Sequence, residues 1–502
     1  MAQSALQGST DPRRWPALTV SMAGAFMVLL DVSIVNVALP SIESEFGVSA
    51  GTVQWVVSGY ALTFGLALVP AGRLGDTIGR RRMFLIALSA FVLTSALTGA
   101  AQTTGWLISA RLLQGVAAGM LIPQNTGLIQ ELFRGSERGR AFGVLGGVVG
   151  VSTAGGPVVG GLILLLAGGP DGWRWIFYVN VPVGLIALVL AARLVPARRG
   201  GRAGKVDLDL VGSLLLGAGV LALLLPVVLT ESGGPRWLWW LCAVAALMLA
   251  AFVVWEAHTA RRGRPPLLEP QLARTPGFVP GVAISLIYFA GFTGIFVVLA
   301  LYFQDGLGYS PLRSGLAVTP YALGSAVSAV LAGRAVARLG RWLTVFGLVA
   351  AATGLILAAL VLRRVGGDAA ALVAAGPLLV AGLGSGMVVA PNTTLTLEAV
   401  PPRMAGAAGG ALQTAQRIGG AIGSAVLVTL YYHELRHTSG GFGVAVSDSL
   451  LYASGCMILA LGMAVAELEG RRHREPPAGH AGAGPSVAPV PQSPPSRRDT
   501  AA

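Results

Sequence analysis

GRLGDTIGRRR, residues Gly72–Arg82, decides how this chain is read. It carries four arginines and one aspartate, and it lies between the apolar runs 52–73 and 83–101. A short charged turn between two long apolar runs belongs at a membrane surface, and its arginines mark which surface. A weaker copy, GRAVARLGR, returns at Gly333–Arg341, where Gly72, Arg73, Gly79 and Arg80 are matched by Gly333, Arg334, Gly340 and Arg341 at a fixed offset of 261 residues. The stretch therefore reports both the sidedness of the chain and its duplication.

The surrounding composition fits a membrane protein. Of 502 residues, 54% are hydrophobic and 11% charged, with a mean hydropathy of +0.71. Soluble domains carry about 25% charged residues. Fourteen apolar runs can be counted: 16–40, 52–73, 83–101, 105–130, 141–168, 173–195, 207–229, 237–257, 278–304, 313–338, 341–362, 370–397, 405–432 and 449–468. Each is near the ~20 residues that a helix needs to cross a bilayer. The period-two alternation of a membrane β-barrel is absent. The 70 glycines suit close helix packing in lipid. The class is an all-α polytopic membrane protein.

The net charge of +13 suggests nucleic acid at first sight, but the basic residues sit in the short connections. An even number of spans puts both termini on one side. That side holds 27 of the 35 basic residues and the other holds six, with Arg111 and Arg417 inside the runs. The imbalance places the termini in the cytoplasm and argues against a nucleic-acid partner. One lysine against 34 arginines looks like a GC-rich bacterial source. Cys242 and Cys456 lie inside apolar runs, so neither a disulfide nor a metal framework is expected. The polar start before Trp15 has no cleavable signal. The Pro-, Ala- and Gly-rich tail is expected to be disordered.

The internal repeat sets the architecture. Tyr60-Ala61-Leu62 recurs as Tyr321-Ala322-Leu323, at the offset of the charged turn. Further on the offset becomes 267. Gly115, Gly119, Met120, Asn125, Thr126 and Glu131 match Gly382, Gly386, Met387, Asn392, Thr393 and Glu398, continuing into Gly139/Gly406, Gly143/Gly410 and Gly156/Gly423. Helices 1–6 and 9–14 are thus two copies of one six-helix unit in the same orientation, with helices 7 and 8 inserted. The expected divisions are 1–15 (cytoplasmic start), 16–200 (first bundle), 201–275 (inserted pair), 276–469 (second bundle) and 470–502 (tail). Parallel six-helix repeats about an axis normal to the membrane are the plan of the major facilitator transporters.

Five stretches carry a specific resemblance. Gly72–Arg82 resembles the signature loop between helices 2 and 3 of the major facilitator superfamily. LDVSIVNVALP at Leu30–Pro40 resembles the helix 1 signature of its fourteen-helix drug:proton antiporter branch, and RLLQG at Arg111–Gly115 the helix 4 motif. GGPVVGG at Gly155–Gly161 resembles the antiporter motif of helix 5, and WRWIFYVNVP at Trp173–Pro182 the start of helix 6. The resemblance spans residues 16–468. It implies a gate formed by Gly72, Arg73, Gly75, Asp76, Gly79 and Arg80, with Asp76 and Arg80 latching the cytoplasmic side. It also implies that Gly156, Pro157, Gly160 and Gly161 seal one half against the other.

Asp31 is the deepest acid, nine residues before Pro40, or about 14 Å inside helix 1 at 1.5 Å per residue. An intramembrane carboxylate costs several kcal/mol unless paired, hydrated or protonated, so proton or cation binding is favoured over a structural ion pair. Arg111 lies at a similar depth and is the expected modulator of Asp31; a packing role is the plainer alternative. Trp55, Tyr60, Phe64, Gln114, Tyr288, Phe289, Phe292, Phe296 and Tyr321 are candidate substrate contacts. Arg417 is either an anion-binding group or a structural one. Phe292 stands where Asp31 would recur, so ion coupling belongs to the first half and substrate surface to the second. Glu131 and Glu398 are expected at gate arginines, and Glu256 in a surface pair with Arg261. His433 and His437 alone make a weak metal site. No phosphate-binding loop occurs, so the expected energy source is a proton gradient and no cofactor.

The expected function is a monomeric antiporter of the bacterial inner membrane that exports hydrophobic or cationic drugs against inward proton flow. A dedicated exporter of one self-made natural product is the main alternative. An importer or a lipid-processing membrane enzyme is further off, since no catalytic cluster of acids, histidines or metal ligands is found.

Overall fold

The computed structural model describes residues 12–48, 50–196, 209–231, 236–262, 266–267, 269–401, 404–437 and 441–472. The described residues form fourteen membrane-length segments. They are α1 (Arg14–Phe46), α2 (Ala50–Ile78), α3 (Arg80–Gly99), α4 (Thr104–Leu132) and α5 (Gly135–Ala167), then α6 (Arg174–Tyr178 continued by Asn180–Leu194), α7 (Leu210–Glu231) and α8 (Leu241–Arg261). The second bundle is α9 (Phe278–Leu301), α10 (Pro311–Leu339), α11 (Arg341–Leu362), α12 (Ala370–Thr396), α13 (Ala405–His437) and α14 (Gly441–Arg472). Eleven spans are long and apolar enough to cross a membrane, and α5 and α7 add the shorter apolar stretches Val158–Ala167 and Val211–Leu223. Helices are the expected answer, because lipid offers no partner for a free backbone N–H or C=O. Residues 1–11 of the expected start (1–15), the 197–208 connection and the tail after 472 lie outside the described residues.

The charged stretch is not the turn that the sequence suggested. Helix α2 runs through it to Ile78 and α3 begins at Arg80, leaving Gly79 alone between them. Gly79 has φ +97°, which only glycine adopts without strain. Its repeat partner Gly340, φ +51°, breaks α10 from α11 in the same way. The arginines are therefore fixed on helix ends, where their positions are set by packing. Helix α1 is also longer than expected: it continues past Pro40 to Phe46. Asp31 is 15 residues from that end, about 22 Å deep at 1.5 Å per residue.

Backbone packing repeats between the bundles. A Cβ on Gly115 or Gly119 of α4 would overlap the carbonyls of Tyr60 and Phe64 on α2. In the second bundle Gly382 and Gly386 of α12 meet the carbonyls of Tyr321 and Ser325 on α10 in the same manner. These are the residues paired by the sequence offsets of 261 and 267. Small residues let the backbones approach, which is how helices associate where water drives nothing.

The two bundles meet along two seams with the same internal symmetry. On one, Gly406 and Gly410 of α13 pack against the carbonyls of Gly72 and Leu68 on α2. On the other, Gly139 and Gly143 of α5 pack against those of Gly333 and Ala329 on α10. Each residue of one seam is the repeat partner of a residue in the other. Gly146, Gly147 and Gly150 extend the second seam toward Ala326. All of these contacts lie in the arginine-bearing halves of the helices. An apolar cluster closes the same face, joining Leu18, Ile129 and Phe142 of the first bundle to Phe278, Leu397 and Leu412 of the second. The inserted pair α7–α8 lies against the α2/α13 seam: Val220 packs with Leu62 of α2 beside Ile418 of α13, and Phe252 packs with Val69 beside Ala411.

Candidate coupling site and transport pathway

Asp31 is the eighteenth of the 33 residues of α1 and is 1% exposed. Its partner is Arg111 of α4, equally buried, with Nη1 2.7 Å from Asp31 Oδ2. The pair is part of a closed network. Arg111 Nε donates to the Val56 carbonyl at 2.9 Å, and Nη1 also donates to Gln114 Oε1 at 2.9 Å. Gln114 Nε2 and Asn180 Nδ2 donate to Asp31 Oδ1 at 3.1 and 3.3 Å. Asn180 further donates to Ser95 Oγ, and Thr98 donates to Gln114 Oε1. The Arg111 guanidinium lies 4.0 Å above the Tyr60 ring. Five helices, α1, α2, α3, α4 and α6, thus converge on one carboxylate inside the first bundle.

The arrangement has a chemical consequence. A buried ion pair with one partner removed leaves an uncompensated charge, at a cost of about 3–5 kcal/mol. Here Arg111 retains the Val56 carbonyl, Gln114 and the Tyr60 face whatever the state of Asp31. These neutral partners offset part of that cost when a proton neutralises Asp31. Gln114, expected among substrate contacts, instead bridges the two charges. Asn180, Ser95 and Thr98 were not expected in the site at all. The sequence signal for Asn180 was available: an amide in an apolar span requires a partner.

The residues expected to form the gate cluster on the arginine-bearing face. Asp76 accepts a hydrogen bond from Arg80 one turn on, and Arg80 Nε lies 3.4 Å from Glu131. The Asp76 carboxylate also reaches across to the second bundle, accepting the backbone N–H groups of Gly406 and Ala407 at 3.1 Å each. These are the second and third residues of α13, whose N–H groups have no partner within their own helix. Arg73 is half-buried on α2, three residues before Asp76. Gly75 leaves room for the Gln124 side chain, and Gly72 for Gly406. In the other seam, Ala337 replaces Asp76, and Gly139 and Arg140 are the fifth and sixth residues of α5. Their N–H groups are already used within the helix, so an acid there would have nothing to accept.

The helix 5 motif is placed differently from its expected inter-bundle seal. Gly156 and Gly160 pack against Ser33 and Ile34 of α1, in the same bundle and within a turn of Asp31. Gly161 has nothing within 4 Å, and the Pro157 side chain lies outside the described ones. The seal between bundles falls earlier on α5, at Gly139–Gly150. Glu398 stands exposed, and its carbonyl meets Arg138 Nη1 at 3.5 Å. Glu256 is a correction: it is buried, beside Gly212 and Asp209 of the inserted pair, because α7 folds back over that face of α8. No group of three or more metal-ligating side chains occurs among the described residues.

The expected aromatic contacts fall into two groups. Tyr60 and Phe64 stack at 6.0 Å on α2. Tyr288, Phe289, Phe292, Phe296 and Tyr321 form a connected cluster, with Phe292 5.4 Å from Tyr288 and Phe296 5.2 Å from Tyr321. Tyr288 also shares a hydrogen bond with Ser385. Tyr60, Phe64, Tyr288, Phe292 and Tyr321 are buried in this conformation, while Trp55, Phe289 and Phe296 are half-buried. Arg417 of α13 lies 4.3 Å above the Phe64 ring, and joins the two bundles at mid-depth.

Two helix bundles of one repeated plan, packed on each other across glycine seams on the arginine-bearing face, are the architecture of a multi-pass membrane transporter. The family model described as Major Facilitator Superfamily matches residues 21–215 and 210–424, and the chain belongs to that superfamily. It is 36% identical over 422 residues to the probable actinorhodin transporter of Streptomyces coelicolor, covering 84% of this chain and 73% of that protein. It is 38% identical over 436 residues to the puromycin resistance protein of Streptomyces alboniger, covering 85% and 84%. Among solved structures, the human organic anion transporter MFSD10 shares the fold with a TM-score of 0.66 at 15% identity, over 90% of this chain and 100% of that one.

Proposed function

We propose that this protein is a proton-coupled antiporter of the fourteen-helix drug:proton branch, exporting hydrophobic antibiotic-like compounds from the bacterial cytoplasm across the plasma membrane. The observation that carries the reading is the buried Asp31–Arg111 pair at mid-depth of the first bundle. An ionisable residue at that depth is a functional group by default. The excess of basic residues favours a cytoplasmic location for the arginine-bearing face and both termini, and on this reading the contacts on that face belong to a state closed toward the cytoplasm. In the proposed cycle, substrate is taken from the cytoplasmic side while Asp31 is paired with Arg111. The bundles then rock about the glycine seams, the Asp76 latch forms on the α13 N-terminus, and substrate leaves outside. A proton taken from outside breaks the Asp31–Arg111 bond and favours return.

A dedicated exporter of one natural product is the second reading. It is favoured by relatives named for single compounds: the actinorhodin and puromycin proteins, and the tetracenomycin C resistance and export protein of Streptomyces glaucescens, 32% identical over 423 residues. The experiment is export from cells expressing the full chain, followed by fluorescence for a panel of dyes and antibiotics. Export of several unrelated compounds, abolished by a protonophore, supports the first reading; export of one compound alone supports the second. Export that persists when the proton gradient is collapsed overturns proton coupling.

A further inference from the structure

Among the described residues, three charged side chains lie near the middle of the membrane spans: Asp31, Arg111 and Arg417. The first two neutralise each other. Arg417 is the thirteenth residue of α13, about 18 Å from its start at 1.5 Å per residue. Its guanidinium lies 4.3 Å from the centre of the Phe64 ring. Among the described residues it has no carboxylate partner and donates no hydrogen bond.

Two buried arginines, Arg111 and Arg341, show what a structural arginine looks like in this fold. Arg111 donates to Asp31, Val56 and Gln114. Arg341, at the foot of α11, donates to Asn392 and lies 2.6 Å from Glu467. Arg417 has the same five donors and none of this provision. It is half-buried, on the helix face turned toward the first bundle, while Gly419 and Gly423 of the same helix pack on the carbonyls of α9. A guanidinium held at mid-depth without an anion is costly, and the cost is recovered only when an anion arrives.

We propose that Arg417 is the binding residue for an acidic group on the transported compound, and that the substrates are aromatic organic anions: carboxylates, sulfonates or ionised phenols on an apolar body. This rests on the export reading and replaces the cationic substrates expected from sequence. The planar fork of the guanidinium suits a bidentate oxyanion. Phe64, the ring beneath the guanidinium, is the aromatic side chain nearest an anion bound there. A cationic compound in the same place meets an unneutralised positive charge, because the one nearby acid is committed to Arg111.

The test uses purified full-length protein in nanodiscs and two fluorescent probes with the same body. 8-Anilinonaphthalene-1-sulfonate carries the anion, and N-phenyl-1-naphthylamine lacks it. The wild type should bind the sulfonate at least tenfold more tightly than the neutral amine. Arg417→Gln should lose tenfold or more for the sulfonate while binding the amine as before, and Arg417→Lys should recover part of the loss. Unchanged sulfonate binding in Arg417→Gln overturns the proposal. So does an equal loss for both probes, which marks a packing role; retained amine binding certifies that the variant is folded. Uptake of the sulfonate into inside-out vesicles separates this from the export reading. Binding that depends on Arg417 without any transport by the wild type refutes export and leaves the anion site standing.

Discussion

Substitution of Asp76 by asparagine removes one charge from the closed face and little else. In the structure the carboxylate accepts Gly406 N–H and Ala407 N–H, both at 3.1 Å, along with Arg80. Hydrogen bonds to a charged group contribute roughly 1.5–3 kcal/mol each, against roughly 0.5–1.5 for neutral ones. The N-terminus of α13 adds up to about 2 kcal/mol for a partly buried anion. Asparagine keeps one acceptor, so the closed face should lose about 2–4 kcal/mol, a shift of about 30- to 800-fold in the equilibrium between the two faces. The assay is a distance measurement between spin labels at Arg82→Cys and Ala399→Cys, one exposed site per bundle, with Cys242 and Cys456 replaced by serine. The wild type should show one short distance, and Asp76→Asn a dominant longer one, with impaired transport and substrate binding largely retained. The control is Ala337→Asp, which puts an acid in the other seam. It should not tighten that seam, because the Gly139 and Arg140 N–H groups are already bonded within α5. An Asp76→Asn distance distribution identical to the wild type would refute the latch, and so would a seam strengthened by Ala337→Asp.

Three further outcomes follow from the packing and the charges. Gly115→Ala and Gly382→Ala should each destabilise the protein by about 1–3 kcal/mol through overlap with the Tyr60 and Tyr321 carbonyls. Thermal unfolding in detergent should show this, with Gly105→Ala and Gly455→Ala, which meet nothing within 4 Å, as unaffected controls. Glu467→Ala leaves Arg341 buried without its carboxylate and should cost about 3–5 kcal/mol, read as a fall in Tm with the first bundle's substrate contacts unchanged. Exchange of one proton for one organic anion moves two charges in the favourable direction. It should be driven by membrane potential at about 4.6 kcal/mol per 100 mV, and potassium-diffusion potentials in proteoliposomes should accelerate it, whereas exchange for a monovalent cation would be indifferent to them.

Much of the fold was legible because the physics that writes it is one-dimensional. Lipid demands apolar runs of fixed length, and those runs survive as α1–α14. The repeat was legible because glycine is required wherever two backbones touch: Gly115 and Gly382 were visible as a pair before their partners, Tyr60 and Tyr321, were known to be the carbonyls against them. The candidate site was half legible. Asp31 and Arg111 stood out as charges at similar depth, but Asn180, Ser95 and Thr98 are common residues whose relevance depends on where α3 and α6 cross α1. Pro40 misled, since proline ends many helices, yet α1 carries it and runs to Phe46 because neighbouring helices can re-satisfy a freed backbone group. Glu256 misled for the opposite reason: nothing in its own helix announces that α7 will cover it. The seals of α5 were displaced by several turns, because a run of glycines along one helix does not say which face meets which neighbour.

The central claim is that Asp31 carries the proton that drives export. Its direct test is proton movement in proteoliposomes containing the full chain, measured with a trapped pH dye as an outward substrate gradient is imposed, for wild type and Asp31→Asn. Asparagine preserves the shape of the side chain and an acceptor for Arg111. The account predicts that the wild type moves protons against substrate, and that Asp31→Asn still exchanges substrate for substrate but moves no protons. Proton movement of wild-type size in Asp31→Asn would contradict it.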